Sequence, residues 1–216
     1  MLSQSPLARY EIYRPLPGEQ TAIEEFRTGS LEAFNQIVLF YQDLLFRVAV
    51  RILGDEPAAM DIVQETFITV FSKFHQFRGN SLRAWLIRIA VNKSYDVLRS
   101  NRHRLTMSFE SIYEDWSEEK FHTPSSNKGL PPEVEVEMRE LEKNIQICIG
   151  KLPPRLRSVI LLVDAEELSY AEAAEALQIP VGTVKSRLAR ARSKMQSLLL
   201  SSGVALEEPR RDSITG

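Results

Sequence analysis

The chain has 216 residues, 44% of them hydrophobic, which is enough apolar material for two small cores. The formal net charge is only −2, so a nucleic-acid partner has to be sought in local charge segregation rather than in overall composition. The single cysteine, Cys148, excludes an internal disulfide, and three scattered histidines give no metal-ligand spacing, so we expect neither a metal nor another cofactor.

The N-terminus shows no signal-peptide pattern. It lacks a basic start followed by an apolar run, and no stretch of the chain approaches the roughly 20 apolar residues of a membrane span. The sequence therefore predicts a cytoplasmic protein with no membrane insertion.

The first sustained helical pattern lies in residues 21–104. Before it, residues 1–20 hold three prolines without apolar periodicity and are expected to form a flexible leader. From residue 21, apolar side chains recur every three or four positions, which predicts a helical domain of at least three helices. The segments Gly54–Pro57 and Arg78–Ser81 interrupt the pattern as turns, and Ser81 is the expected N-cap of the next helix.

That next helix carries two stripes. Its apolar stripe contains Leu82, Leu86, Ile89, Ala90 and Val97. Its second stripe contains Trp85, Arg88, Asn92, Asp96 and Arg99. The second stripe suits unpaired nucleic acid, because an indole stacks on a base, an amide binds a base edge and a guanidinium binds phosphate. The alternative, that Trp85 is a core residue at a helix crossing, stays open.

The periodicity fades between the two halves of the chain. Residues 105–132 are rich in proline and acidic side chains, so we expect a flexible acidic linker. Helical patterning resumes in residues 133–202, with one helix predicted from Arg155 to Leu168 and two more around Gln178–Pro180. Residues 203–216 are expected to be a disordered tail. The predicted fold class is all-α, with two small helical domains, a bundle and a helix-turn-helix, joined by the linker.

The most specific local pattern is a helix, a short turn and a second helix between Leu168 and Leu188. Ser169 and Glu172 form a predicted capping box at the start of the first helix. In the second helix, apolar residues at i, i+4, i+7 and i+11 form the expected inward stripe, namely Val184, Leu188, Ala191 and Met195.

The outward face of the second helix carries five cations and no acid. Exposed helices ordinarily intersperse acids, so this face favours an anionic partner such as DNA, although a solvated helix that happens to be basic is the alternative. In a major groove, the side chains best placed for base edges are Lys185, Ser186, Ala189 and Arg190, with Arg190 suited to guanine. Those that lean toward phosphates are Arg187, Arg192 and Lys194.

Several motifs occur together in a recognisable order. They are DIVQETF at Asp61–Phe67, FRG at Phe77–Gly79, WLIRIAVN at Trp85–Asn92, the pair Leu152–Pro153 and PVGTVKSR at Pro180–Arg187. In this order and approximate spacing the chain resembles the extracytoplasmic-function (ECF) sigma factors, a group of the sigma-70 superfamily that keeps sigma regions 2 and 4. The resemblance covers about residues 28–200 and implies that residues 21–104 are region 2 and residues 133–202 are region 4.

The resemblance implies a factor that binds core RNA polymerase, recognises the −10 and −35 promoter elements and opens the DNA. It implies contact with the flap of the second-largest polymerase subunit, and an anti-sigma factor as a further partner. The factor would not be an enzyme, because the polymerase brings the chemistry. The residues implied in binding the clamp helices of the largest subunit are Asp61, Gln64, Glu65 and Phe67.

The resemblance also divides the DNA-binding residues between the two domains. Those implied at the −10 element are Asn80, Trp85, Arg88, Asn92 and Arg99. Those implied at the −35 element are Thr183, Lys185, Ser186, Arg187, Ala189, Arg190 and Arg192. The chain departs from the family pattern at Leu82, where an aromatic residue often occurs, and at Ala189, which is small, so the bases preferred at each element stay open.

Two other classes of protein are compatible with parts of the sequence. A free-standing regulator would explain the C-terminal half alone, and it should bind duplex DNA without polymerase, as a dimer on paired half-sites. An enzyme acting on nucleic acid would need a Ser/His/Asp set, a metal-ligand cluster or a glycine-rich phosphate loop, and the residues of this chain assemble none of them.

Overall fold

The structure, a computed structural model, describes residues 16–78, 81–104 and 132–202. Most of the predicted leader, nearly all of the linker and the tail lie outside these described residues. Within them the chain forms eight α-helices and no strand, which confirms the predicted all-α fold class. None of the helices in these ranges is long and apolar enough to cross a membrane.

Four of the described α-helices form the N-terminal half, together with a short 3-10 turn. Their bounds are α1 Glu19–Arg27, α2 Leu31–Leu53, α3 Glu56–Lys73, the 3-10 turn Phe74–Gln76 and α4 Leu82–Arg104. The predicted turn after α2 is confirmed, since Gly54 ends that helix in the left-handed conformation. The predicted N-cap of α4 is also confirmed, because the Ser81 hydroxyl accepts a hydrogen bond from the Ala84 N–H at 3.1 Å.

Helix α2 is the centre of the N-terminal half and packs against α1, α3 and α4. Its inward side chains are fully buried at helical spacing, at Ile37, Tyr41, Leu45, Val48 and Ile52. Burial of each of the aliphatic ones stabilises the fold by about 1.5–3 kcal/mol. An aromatic cluster, with neighbouring ring centroids 4.4 to 5.9 Å apart, ties the start of α4 to α1 and α3 through Phe26, Phe34, Phe71, Phe74, Phe77 and Trp85.

The described C-terminal half contains the other four α-helices and a π-helical turn. Their bounds are α5 Pro132–Gly150, α6 Pro154–Ile160, the π turn Leu161–Ala165, α7 Tyr170–Leu177 and α8 Val181–Ser201. The predicted helix from Arg155 to Leu168 is present, but it ends at Ala165, three residues early, and its last turn is π-helical. The Glu166 N–H donates to the Leu161 carbonyl at 3.0 Å, five residues back, and Glu167 then takes a φ of 54°, so the helix widens and stops.

Helices α7 and α8 form the predicted helix-turn-helix. The capping box is confirmed, since the Glu172 N–H donates to the Ser169 hydroxyl at 3.2 Å and the Ser169 N–H donates to the Glu172 carboxylate at 3.0 Å. Gln178 ends α7 with a φ of 53°. The predicted inward stripe of α8 is buried against its neighbours, at Val184, Leu188, Ala191 and Met195.

The two halves are in direct contact. Helix α4 packs against α7, and α2 packs against α5. The Arg157 guanidinium donates to the Ile52 carbonyl at 3.0 Å, and the Tyr95 hydroxyl donates to the Pro154 carbonyl at 2.7 Å. Burial raises the pKa of Tyr95 above its ordinary value of 10.0, so this hydroxyl stays protonated and remains a donor.

Candidate functional surfaces

The outward face of α8 is strongly positive, with five cations and no acid between Val181 and Ser201. Of the residues predicted to bind DNA there, Thr183 and Arg187 are half-buried, and the exposed ones are Lys185, Ser186, Ala189, Arg190 and Arg192. The Ser186 hydroxyl donates to the Thr183 carbonyl at 3.1 Å, and the Lys185 Nζ lies 5.7 Å from the centre of the Tyr170 ring. The face thus offers several cationic donors to solvent on the side opposite its buried stripe.

Arg192 differs from the other cations of α8 because it has an acidic partner. Its Nε and Nη2 donate to the two carboxylate oxygens of Asp164 at 2.9 and 2.6 Å. This hydrogen bond raises the pKa of Arg192 further above its ordinary value, so the charge is fixed. Sequence reasoning missed Asp164, since it lies on the π turn, 28 residues earlier in the chain.

The outward face of α3 brings together three of the predicted polymerase-binding residues, Asp61, Gln64 and Glu65, which are all exposed. Glu65 also accepts from the Lys93 Nζ at 2.9 Å. Phe67, the fourth residue of the predicted set, does not lie on this exposed face. It is only 7% exposed and its ring centroid lies 6.3 Å from that of Phe34, because its position in the turn of α3 faces α2.

The same face of α3 carries large apolar side chains that sequence reasoning missed. Met60 and Phe71 are exposed, and Ile68 is 68% exposed. The signal was present in the sequence, because these three positions fall outside the register of the buried residues Ala59, Ile62, Thr66 and Val70. The face is therefore acidic, polar and apolar together, a mixture suited to helix-on-helix contact.

The predicted −10 residues are distributed unevenly along α4. Trp85 is only 6% exposed and its ring centroid lies 5.3 Å from that of Phe77, which is the placement that the core alternative describes. Arg88 is half-buried and Asn92 is exposed. Arg99 is exposed and pairs with Asp96 on the same helix. The predicted residue Asn80 lies outside the described residues.

An ionic cluster centred on the buried Glu166 joins the two halves, and sequence reasoning did not find it. The Glu166 side chain, 3% exposed, receives hydrogen bonds from Arg47 at 3.2 and 3.3 Å and from Arg51, both on α2. Arg83, at the start of α4, donates to the Glu166 carbonyl. The partners lie 83 to 119 residues from Glu166 in the chain, so no local periodicity could indicate the cluster.

No group of three or more His, Cys, Asp or Glu side chains in the described ranges is placed to hold a metal ion. Cys148 is buried in α5. The two candidate surfaces are cationic on α8 and mixed acidic and apolar on α3.

In a comparison with known proteins, each half of the chain matches a family model. Residues 37–104 match the family model described as sigma-70 region 2, and residues 142–195 match the one described as sigma-70, region 4. The ECF RNA polymerase sigma factor SigW of Bacillus subtilis (strain 168) is 35% identical over 178 residues, which cover 82% of this chain and 94% of SigW. The chain belongs to the ECF sigma factors. This sigma factor serves promoter-specific transcription initiation, and sigma factors are known as non-catalytic initiation factors.

Solved structures agree with this placement. The sigma factor is similar to CnrH, solved in complex with the cytosolic domain of CnrY, with a TM-score of 0.63 and 26% identity, covering 86% of this chain and 99% of that one. It is similar to the sigma factor RpoE, solved with the anti-sigma factor NepR from Bartonella quintana, with a TM-score of 0.61 and 26% identity, covering 79% and 98%.

The matched regions contain the surfaces described above. The region 2 match includes all of α3 and α4, and thus the mixed face of α3 and the polar residues of α4. The region 4 match runs from α5 to Met195 and includes the helix-turn-helix with the cationic residues of α8. The sigma factor therefore carries its two main exposed faces on different regions.

Proposed function

We propose that this sigma factor binds core RNA polymerase through the outer face of α3 and promoter DNA through α4 and α8. The observation that carries the proposal is the pairing, in one chain, of an acid-free cationic helix face with a mixed acidic and apolar helix face. A free-standing regulator needs the first face and has no use for the second.

The polymerase contact rests on α3. Asp61 and Gln64 are exposed one turn apart, and Ile68 continues the same line with an open apolar side chain. Helix-on-helix docking uses such i, i+3 and i+7 positions, with apolar burial for affinity and charge for orientation. The proposed target is the clamp helices of the largest subunit, and region 4 is proposed to meet the flap of the second-largest subunit.

The −35 contact rests on α8. Arg190 is exposed beside Ala189 and Ser193, so a planar guanidinium can enter a major groove and bind the two acceptors of guanine. Lys185 and Arg187 flank it toward the helix start, and Lys194 follows toward the helix end, where phosphate contacts fix the register. Arg192 joins them when it exchanges the Asp164 carboxylate for a phosphate.

The −10 contact rests on polar residues around the start and middle of α4. Asn92 and Arg99 are exposed and Arg88 is half-buried, so these three can bind the bases or backbone of a separated strand, together with Asn80. Trp85 supports α4 from the aromatic cluster in this arrangement.

An anti-sigma factor is the proposed regulatory partner. Two relatives of similar fold were solved as complexes, one of them named as a complex with an anti-sigma factor. We place the sigma factor in the cytoplasm, with its polymerase, as a non-enzymatic subunit.

The test is co-elution of the purified chain with bacterial core RNA polymerase on a sizing column. The double variant Asp61→Arg with Gln64→Ala should lose co-elution, because it puts a cation in place of the Asp61 carboxylate and removes a polar partner on the α3 face. The matched control is Glu24→Arg with Gln20→Ala, which also replaces one acid and one glutamine at exposed positions, here on α1, and should co-elute like the wild type. If the wild-type chain ignored polymerase and bound duplex DNA alone, the free-standing regulator would replace this proposal.

A further inference from the structure

We propose that Glu166 and its three arginines, Arg47, Arg51 and Arg83, form an autoinhibitory clasp that holds regions 2 and 4 closed until polymerase and promoter engage them. We call these four residues the Glu166 clasp. The inference rests on the proposed function, because it concerns how the two DNA-binding regions reach their separate promoter elements.

All three oxygen atoms of Glu166, two in its carboxylate and one in its backbone carbonyl, accept hydrogen bonds from the arginines. The carboxylate of Glu166 binds Arg47 through Oε2 at 3.2 Å and Arg51 through Oε1, and its backbone carbonyl accepts from Arg83. The three guanidinium groups come from two helices of region 2, while Glu166 comes from region 4. One residue therefore joins region 4 to both α2 and α4.

The burial of the clasp is graded. The side chain of Glu166 is 3% exposed and that of Arg51 is 14% exposed, whereas that of Arg47 is 50% exposed. Charge-assisted hydrogen bonds shielded from solvent are screened little by salt, so the inner part of the clasp holds at physiological ionic strength. A competing partner can reach the exposed side chain of Arg47 first and begin to open the clasp there.

The backbone next to Glu166 is shaped for this contact. The π turn Leu161–Ala165 precedes it, and Glu167 follows with a φ of 54°. Non-glycine residues adopt this region rarely, and π turns recur at functional positions. The irregular segment directs both the side chain and the carbonyl of Glu166 toward region 2, which a continuous α-helix would not do because its carbonyls bond along the helix.

Two further contacts lie across the same interface. The Tyr95 hydroxyl donates to the Pro154 carbonyl at 2.7 Å, and Arg157 donates to the Ile52 carbonyl at 3.0 Å. Both are single hydrogen bonds to a carbonyl. The clasp, in contrast, pairs opposite charges across the interface.

The spacing of the two promoter elements explains why the closed arrangement cannot bind both of them. The −10 and −35 elements lie roughly 25 base pairs apart, which is about 85 Å of B-form DNA at 3.4 Å per step. A compact protein of this length has a radius of gyration of about 17 Å and a diameter of about 45 Å. Regions that pack against each other cannot reach both elements at once, so the clasp must break for two-site promoter binding.

The chain between the regions is long enough to allow opening. The 27 residues from 105 to 131 connect α4 to α5. Fully extended, a segment of that length spans about 90 Å. Opening therefore needs no unfolding of α4 or α5, only separation of the interface that the clasp closes.

The first arm of the test measures the distance between the regions in the isolated full-length chain. Spin labels are placed by Asn35→Cys on α2 and Ser197→Cys on α8, both exposed positions, in a Cys148→Ser background. The wild type should give mainly one short distance. Glu166→Gln should add a longer population, and so should the second variant, Arg47→Gln with Arg51→Gln, which removes the arginine side of the clasp. Glu167→Gln, which removes the neighbouring exposed carboxylate, should behave like the wild type.

The second arm measures the affinity of the same chains for bacterial core RNA polymerase by titration of a labelled chain. If the open fraction rises from a tenth of the molecules to nearly all, the apparent Kd falls about tenfold. Circular dichroism of each variant checks that the helices remain.

The outcomes separate the clasp from the proposed function. Longer distances with tighter polymerase binding in both clasp variants support the inference. Unchanged distances, or longer distances with unchanged polymerase affinity, overturn it while the proposed function stands. If no chain bound polymerase, the proposed function and the autoinhibitory role would both fail, and the distance data would still show whether Glu166 joins the regions.

Discussion

Helices α4 and α8 are similar in length, 23 and 21 residues, and both are proposed to bind promoter DNA, yet they expose very different surfaces. α8 buries a narrow stripe and leaves most of its cations exposed. α4 buries every residue from Leu82 to Ile87, because its start lies among α2, α3, the aromatic cluster and α7. The cations that we propose to bind duplex DNA on α8 are therefore accessible, whereas substitutions at the start of α4 act on the core.

In this comparison of α4 with α8, the largest expected effect is the loss of stability when Trp85 is replaced. Trp85→Ala should lower the free energy of unfolding by about 3–5 kcal/mol, because it leaves a cavity between Phe74 and Phe77. Urea unfolding followed by circular dichroism measures it. Trp85→Phe keeps an aromatic ring and should lose much less. A loss below about 1 kcal/mol for Trp85→Ala would place the indole outside the core.

On α8 the expected effect falls on binding instead of stability. Arg190→Ala should weaken binding of the polymerase-bound factor to a selected promoter by about 1–3 kcal/mol and relax the preference for one base. The free energy of unfolding should change by no more than about 0.5 kcal/mol, since the side chain is exposed. Lys194→Ala is the comparison, and it should weaken binding evenly across sequences. Equal, sequence-independent losses in both variants would remove Arg190 as a base reader.

A smaller effect tests the start of the helix-turn-helix. Ser169→Ala should lower the free energy of unfolding by about 1 kcal/mol, since it removes the acceptor for the Glu172 N–H. Ser81→Ala, which removes the cap of α4, should cost about the same. Ser201→Ala, at the far end of α8, is the control. The cap is unimportant if all three substitutions give the same small change in urea unfolding.

The smallest effect concerns Arg192. Asp164→Asn should change the free energy of unfolding by less than about 1 kcal/mol, because the Asp164 pair is largely exposed. It should also strengthen DNA binding a few-fold, since it releases Arg192 for a phosphate, and steepen the dependence of affinity on salt by about one ion. Glu167→Gln removes a nearby charge without touching Arg192 and should leave the salt dependence unchanged. A steepening of the same size in both variants would mean that general charge, not the release of Arg192, is responsible.

Much of the fold could be predicted because it depends on residues that are close together in the sequence. The inward stripe of α8, the capping box at Ser169 and the turn at Gly54 each depend on residues within a few turns of helix. The π turn before Glu166 could not be predicted from periodicity, because the apolar residues Leu161 and Leu162 fit a continuous helix equally well.

The site was harder to predict because exposure depends on neighbouring helices. Phe67 and Ile68 are adjacent apolar residues, yet one is buried and the other open, and only the position of α2 decides which. The partners of Glu166 and Asp164 come from distant parts of the chain, so their pairing follows from tertiary packing alone. The acid-free pattern of α8 was predictable since it lies within one helix.

The most direct test of the central claim is transcription by core RNA polymerase, with and without this chain, from a library of randomised DNA fragments. The account predicts transcripts that depend on the chain and that start downstream of two sequence blocks at a fixed spacing. The Asp61→Arg with Gln64→Ala variant should yield none. Transcripts that appear equally without the chain, or that share no sequence blocks, would contradict its role as a promoter-specific initiation factor.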